Sequence, residues 1–332
     1  MRLASVALAV AAVAALSLLA PAGAGASLPG GNGRIAFAKP GRGIWDVNAD
    51  GSGQRRLSPS NDPTFNCDAA PAYSPTELEL AFEGCDPERH ATVLETMTSL
   101  GVTRNSLFAG SSKAPRPQSP AFSPKGDQVA FSAGLDATRL FVIRTDGTGL
   151  RRLPGTGYEP SWSSRGQIAY AVPQNQRRFC NSTELDDVYV MRSDLKHVKR
   201  ITRNYGSFDP DWSPDGKRLA YARDYTVSSK DAKNARGTMD CKPVLRRASR
   251  YGPELVVSDA NGKHAHRLTR SGGSNPAWSP NGKLIAFERG GWIWTMNADG
   301  SKARRLVPGA DPSWQPLPSP LPRRERARSS RR

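Results

Sequence analysis

The stretch FDPDWSPDGKRLAY, Phe208 to Tyr221, decides the fold because the chain repeats it. Related copies read APAYSPTELELAF (Ala70 to Phe82), SPAFSPKGDQVAF (Ser119 to Phe131), EPSWSSRGQIAY (Glu159 to Tyr170) and NPAWSPNGKLIAF (Asn275 to Phe287). One more copy is divided between the chain ends: DPSWQP (Asp311 to Pro316) stops where NGRIAF (Asn32 to Phe37) would continue it. In the unit opening at Asp209, PDWS is a short strand, PDG a tight turn, KRLAYA a second strand, ELVVSD (Glu254 to Asp259) a third and HRLT (His266 to Thr269) a fourth. Asp-Ala-Asn-Gly joins the last pair, a hairpin signal because Asn-Gly and Asp-Gly tolerate the positive φ of tight turns. The same junction recurs as NADGSG at Asn48, TDGTG at Thr145, SDLK at Ser193 and NADGSK at Asn297.

Helical periodicity is nearly absent, and 31 Gly with 27 Pro suit many short strands. Four antiparallel strands repeated every ~40 to 65 residues predict propeller blades. The expected fold is all-β: a six-bladed β-propeller of four-stranded antiparallel blades over residues 27–316, closed by pairing of the N- and C-terminal strands. Closure gives the divided copy a physical role, since a linear stack would leave its end blades with open edges.

The ends of the chain read differently. Arg2, an apolar run from Leu3 to Leu19 and the small residues Ala24-Gly25-Ala26 predict a secretory leader over 1–26. A retained anchor is the alternative, because the run approaches the ~20 residues a membrane span requires. No transmembrane segment is expected in the mature chain. The tail over 317–332 holds six Arg against one Glu and has the composition of a disordered segment. The formal charge is +17. On an exported, periplasmic, cell-envelope or extracellular protein, that charge points to anionic lipid, wall polymer or acidic protein, not to nucleic acid.

The motif PxWSPDGKxIAF, followed by an apolar strand, a DG turn and an RRLT-like strand, resembles the WD-like repeats of TolB-type β-propellers over about Gly33 to Pro316. The family's namesake works in the bacterial Tol-Pal envelope system and carries a separate α/β domain before its propeller. Here the first blade is expected directly after the leader.

Propeller topology sorts the loops between two faces. Short SPDG and NADG turns lie on one; the longer insertions, about Asp86 to Thr92, Val172 to Leu185 and Asp224 to Gly252, lie on the other with Cys67, Cys85, Cys180 and Cys241. Export permits disulfides, and this topology pairs Cys67 with Cys85 and Cys180 with Cys241 as staples on long loops. On the same face, the residue before each motif proline sits at the mouth of the central channel: Ala70, Ser119, Glu159, Asp209, Asn275 and Asp311. Glu159, Asp209, Asn275 and Asp311, with Asp211 beside them, form the candidate binding site, for a cation or a basic peptide segment. The competing reading is that each side chain caps its own loop by bonding local backbone N–H groups.

The aromatics at the next repeated position, Tyr73, Phe122, Trp162, Trp212, Trp278 and Trp314, read as blade-to-blade packing. Basic residues on the fourth strands, such as Arg55-Arg56 and Arg304-Arg305, read as protection of an exposed sheet edge, with a polyanion-binding rim as the alternative. No Gly-x-Ser-x-Gly elbow occurs, and no Cys-x-x-Cys or spaced His set supports a zinc site; His264 and His266 lack a third ligand. The functional expectation is an exported, monomeric, non-catalytic scaffold binding an envelope or secreted protein or peptide at the channel mouth. No cofactor is expected, beyond a cation in the channel. A carbohydrate-active lyase or hydrolase using funnel carboxylates, and a polyanion or cell-wall binder, are the alternatives.

Overall fold

The computed structural model describes residues 30–58, 68–76, 78–86, 91–110, 116–134, 138–174, 186–194, 196–226, 246–247 and 252–318. The leader, the tail from residue 319, most of the long insertions, and Cys67, Cys180 and Cys241 lie outside them. Six four-stranded antiparallel sheets follow one another along the chain, as the repeats predict. Blade 1 combines the C-terminal strand Ala310–Leu317 with Gly31–Lys39, Gly43–Val47 and Arg55–Arg56. Blade 2 covers strands from Ala69 to Ala109, blade 3 from Arg116 to Arg152, blade 4 from Tyr158 to Arg200, blade 5 from Ser207 to Arg267, and blade 6 from Ser274 to Pro308. Within blade 5 the third strand is Glu254–Asp259, and a two-stranded ribbon, Tyr225–Thr226 with Arg246–Arg247, precedes it.

Ring closure is a strand pairing. Gly31 lies opposite Leu317, Ile35 opposite Trp314 and Ala38 opposite Ala310, so the closing pair reaches further in both directions than the motif fragments alone. Inner strands contact their neighbours all the way round, blade 6 to blade 1 included.

Each blade is apolar on both faces: in blade 5, Leu219, Tyr221 and Val256 pack against blade 4, and Ala220, Ala222, Leu255 and Val257 pack against blade 6. Six inter-blade cores result, each built around one motif aromatic. Trp212 is wholly buried, among Val188, Ile201, Leu219, Tyr221 and Val256. This is why the aromatic recurs in every copy: each junction needs a large side chain to fill it.

Glycine at the outer hairpin serves packing as well as turning. Gly262 has φ +84°, and a Cβ there would stand 2.5 Å from the Ile201 carbonyl oxygen of the preceding blade. Gly101 meets Leu57 in the same way, at 2.0 Å. Any side chain at these positions would push the hairpin off its neighbour.

The fourth-strand cations do more than guard an edge. Arg55 reaches across to Asp46 on the third strand at 2.9 Å, Arg200 pairs with Asp187, Arg267 with Glu254 at 3.3 Å, and Arg104 with Asp68 at 2.9 Å and with Glu95. Asp46 and Asp187 are fully buried. One cation of each pair therefore ties the short outer strand to the sheet, while its neighbour (Arg56, Lys199 or His266) faces solvent.

Among the described residues no helix is long and apolar enough to cross a membrane.

Candidate functional site

The mouth of the channel is built from a single irregularity repeated in every blade. Ala70, Ser119, Glu159, Asp209, Asn275 and Asp311 all adopt left-handed φ, between +46° and +53°. At each the pairing of the inner strand with the next strand slips, for example between Phe208 and Asp211 and between Tyr158 and Ser161. A non-glycine residue in this region, immediately before proline, is strained by about 1–3 kcal/mol. The bulge turns the residue toward the axis, and the proline that follows has no N–H to leave unpaired on the channel side. Pro71, Pro120, Pro160, Pro210, Pro276 and Pro312 line a central channel of about 220 Å³.

The strained backbone is held by the blade next door. Asp209 N–H donates to Glu159 Oε2 at 2.8 Å, Asn275 N–H donates to Asp209 Oδ2 at 2.9 Å, and Asn275 Nδ2 donates to Asp311 Oδ1 at 2.9 Å. Ala70 N–H in turn donates to the Asp311 carboxylate. Ala70 has no acceptor to continue the relay, and Glu83, from the second strand of blade 2, supplies one: Ser119 N–H donates to its Oε1 at 2.8 Å. The local-cap reading is thereby corrected. Glu159, Asp209 and Asp311 bond backbone N–H groups, but those of the neighbouring blade, and the Asn275 amide donates to carboxylates instead.

Asp211 stands apart from the rim. Its Oδ1 accepts from the Ser161 hydroxyl at 3.0 Å and its Oδ2 from Trp278 N–H at 2.8 Å, which places it in a second tier of inter-blade links. Ser313 fills the same role between blades 1 and 2, accepting from Tyr73 N–H at 3.1 Å. The structure thus brings Glu159, Asp209, Asn275 and Asp311 together at the rim and engages both oxygens of Asp211 below it.

Two rim carboxylates escape the motif. Glu83 and Glu288 follow the aromatic of the second strand (FEG and FER), where other blades have Ala or Ser. Glu288 Oε2 accepts from Asn275 Nδ2 at 3.3 Å. Their signal was an acid at a repeated position otherwise small, visible once the copies are aligned on the aromatic.

The electrostatics follow from crowding acids around a narrow space. Burial, with the charges of Glu288, Glu83 and Asp209, pushes Asp311 up to about 7. Glu159 is raised well above the usual carboxylate range by burial and by Asp209, with which it shares a carboxyl–carboxyl hydrogen bond. Burial also raises Asp209 and Glu83, and lifts Asp211 to about 6 against the hydrogen bonds it accepts. Among the described residues no three such groups lie close enough together to hold one metal ion, so the acids are spread around the ring. Cys85 is disulfide-bonded.

No family model matches the chain. A stretch of 141 residues, 40% of the chain, is 29% identical to an uncharacterized protein of Agrobacterium fabrum, and it spans about two fifths (39%) of that relative. Among solved structures, TolB from Acinetobacter baumannii superposes with a TM-score of 0.64 at 19% identity, covering 86% of this chain and 67% of that one. A putative TolB from Agrobacterium tumefaciens gives 0.55 at 18% identity, covering 86% and 99%. The fold is a TolB-like propeller. A chain in a nidogen/laminin complex shares it too, with a TM-score of 0.63 at 10% identity, covering 86% and 99%. Identity at this level establishes the TolB-like architecture, and the site must argue the function.

Proposed function

We propose that this TolB-like propeller is an exported, non-catalytic binding module that takes a cationic segment of an envelope or secreted protein into its channel mouth. One observation carries the reading. Five acids inside the blades, Asp46, Asp68, Glu95, Asp187 and Glu254, are each matched with arginine. Glu83, Glu159, Asp209, Glu288 and Asp311 form no salt bridge with any described residue, although the chain carries 47 Lys and Arg against 30 Asp and Glu. They are only partly exposed, at the channel, and burial together with the charges of Glu288, Glu83 and Asp209 disfavours the charged state of Asp311. A lysine or arginine side chain entering from a partner offsets those charges, and a spread-out ring suits a segment better than a point ion. Export rests on the leader, and the nidogen/laminin complex shows a propeller of this shape in a protein assembly.

Calorimetric titration of the purified mature chain with a short arginine-rich peptide tests the proposal. Affinity should rise as pH increases through about 7, where Asp311 gives up its proton. It should fall at least about tenfold, or ~1.4 kcal/mol, in the Glu159→Gln/Asp311→Asn double variant. Equal affinity in the variant, or no dependence on pH, overturns the reading.

A further inference from the structure

The three most exposed large apolar side chains among the described residues stand together on blade 2, on the face that carries the short turns. They are Leu78, Leu100 and Val102, at 64%, 69% and 80% exposure. Leu78 lies in the turn between the first two strands, and Leu100 and Val102 flank Gly101 at the tip of the outer hairpin. Ser99 N–H donates to the Leu78 carbonyl at 2.8 Å, which ties the two tips side by side.

These residues replace polar ones that the other five blades keep. At the position of Leu100 the siblings carry Asp50, Asp146, Asp194, Asn261 and Asp299, and each side chain accepts from the N–H two residues further on, at 2.9 or 3.0 Å. Those N–H groups belong to Ser52, Thr148, Lys196, Lys263 and Ser301, so the position of Val102 is polar elsewhere too. Leucine cannot accept that bond. In blade 2 the Val102 N–H donates to Thr98 Oγ1 at 3.0 Å instead, and the hairpin closes with an apolar tip. The carbonyl that Leu78 offers to the outer hairpin is offered in blades 3, 5 and 6 by Asp127, Lys217 and Lys283. Apolar replacements at two adjoining tips of one blade, with a substitute bond that preserves the turn, are the pattern expected of a functional surface.

Shape, size and charge select the occupant. Side chains this exposed project from the surface and line no groove for a partner to fill. Three of them also fall well short of the ~800 Å² per partner that a stable protein interface buries, so neither a second copy nor another folded protein would be held by them alone. A fluid bilayer needs no matching surface, and each projecting apolar side chain that enters it contributes on its own. The charge is supplied on the same face. The C-terminal strand runs from the mouth at Asp311 to Leu317, whose exposed side chain marks the corresponding turn of the adjacent blade 1. Residues 319–332 follow with six Arg against one Glu. At ~3.3 Å per residue that segment can reach about 45 Å, enough to lie along headgroups beside blade 2. We propose that this face of blade 2 docks on an anionic lipid bilayer: Leu78, Leu100 and Val102 enter the apolar layer and the tail arginines bind the headgroups, two signals that together give stable attachment. The channel mouth, at the opposite ends of the strands, then faces away from the membrane.

Co-sedimentation of the mature chain with vesicles of mixed phosphatidylglycerol and phosphatidylcholine tests the inference. The chain should bind these vesicles, and pure phosphatidylcholine at least about tenfold more weakly. The informative variant is Leu100→Asp. It gives blade 2 the residue that blades 1, 3, 4 and 6 carry, so the thermal midpoint should not fall. Partitioning onto the mixed vesicles should nonetheless fall at least about tenfold, and a folded protein that has lost binding cannot be dismissed as misfolded. Removal of residues 319–332 should weaken binding to a similar degree and flatten its dependence on salt. Val198→Asp makes the same change of charge at an exposed valine of blade 4 and should leave binding unaltered. The inference is overturned if Val198→Asp weakens binding as much as Leu100→Asp, or if Leu100→Asp binds as the wild type does, which would reduce the contact to a polyanion held by the tail. It is equally overturned if the vesicles are not bound and Leu100→Asp instead abolishes self-association, which would make a second copy the occupant. None of these readouts involves the arginine-rich peptide, so this face and the mouth stand or fall separately.

Discussion

Two sets of acids in this propeller are built to opposite specifications. Asp187, in the third strand of blade 4, is fully buried: it pairs with Arg200 and its Oδ1 accepts from the Thr202 hydroxyl at 2.7 Å and from Asn204 N–H at 3.1 Å. Asp311, at the channel mouth, accepts from Asn275 and Ala70 but meets no described cation, and three other carboxylates act on it. Burial raises both carboxyls; in the first arrangement Thr202 and Arg200 oppose that shift, and in the second the neighbouring carboxylates add to it. Acids whose charge is matched inside the blade hold the outer strands in place, and those left unmatched around the axis cost stability unless something positive arrives.

The sharpest way to break the comparison is to remove one member of each set. Asp187→Ala leaves Arg200 and several donors without their acceptor and should destabilise the fold by about 3–5 kcal/mol in denaturant unfolding. Asp311→Asn keeps an acceptor for Ala70 N–H and removes a disfavoured charge, so at pH 8 it should be neutral or stabilising. Comparable losses in the two variants would mean that the mouth acids are structural as well.

A second, smaller effect lies in the pH dependence. The folded chain holds the Asp311 proton up to about pH 7, whereas the unfolded chain releases it near about pH 4. Glu159 and Asp211 are raised in the same direction. The folded state therefore binds more protons in this window. The contribution is fully present below about pH 4 and is lost as pH rises through about 7. Thermal midpoints should fall by a few degrees across that range, and the slope should flatten in the Glu159→Gln/Asp311→Asn double variant. A midpoint that climbs with pH over the same interval would show that the mouth is charged and satisfied without a ligand.

Why one set was legible in the sequence and the other was not follows from chain distance. Blade number, strand order and the six packing aromatics could be read because every copy repeats them and each turn is local. The rim could be placed at the residue before the motif proline for the same reason. Its bonding could not: Glu159 and Asp209 are 50 residues from the N–H partner in one case and 66 in the other, and no local pattern links a side chain to the next blade. Glu83 and Glu288 were hidden because they depart from the repeat at a position that the motif leaves unspecified. The Arg200–Asp187 tie escaped because basic pairs on an outer strand have a sufficient explanation in edge protection alone.

The smallest test separates the backbone of the mouth from its charges. Ala70 has the left-handed φ of its five siblings, +46°, but its methyl group neither accepts a hydrogen bond nor carries charge. Its N–H is bonded to Asp311, so the conformation is imposed from the neighbouring blade. Glycine at this position would relieve about 1–2 kcal/mol of left-handed strain and return about 0.5–1 kcal/mol through the greater freedom of the unfolded chain. Ala70→Gly should therefore stabilise the protein by about 0.5 kcal/mol, measured by denaturant unfolding, and leave binding of the arginine-rich peptide unaltered. If Ala70→Gly weakens that binding instead, the rigid bulge itself, and not only the carboxylates it presents, is part of what the channel mouth recognises.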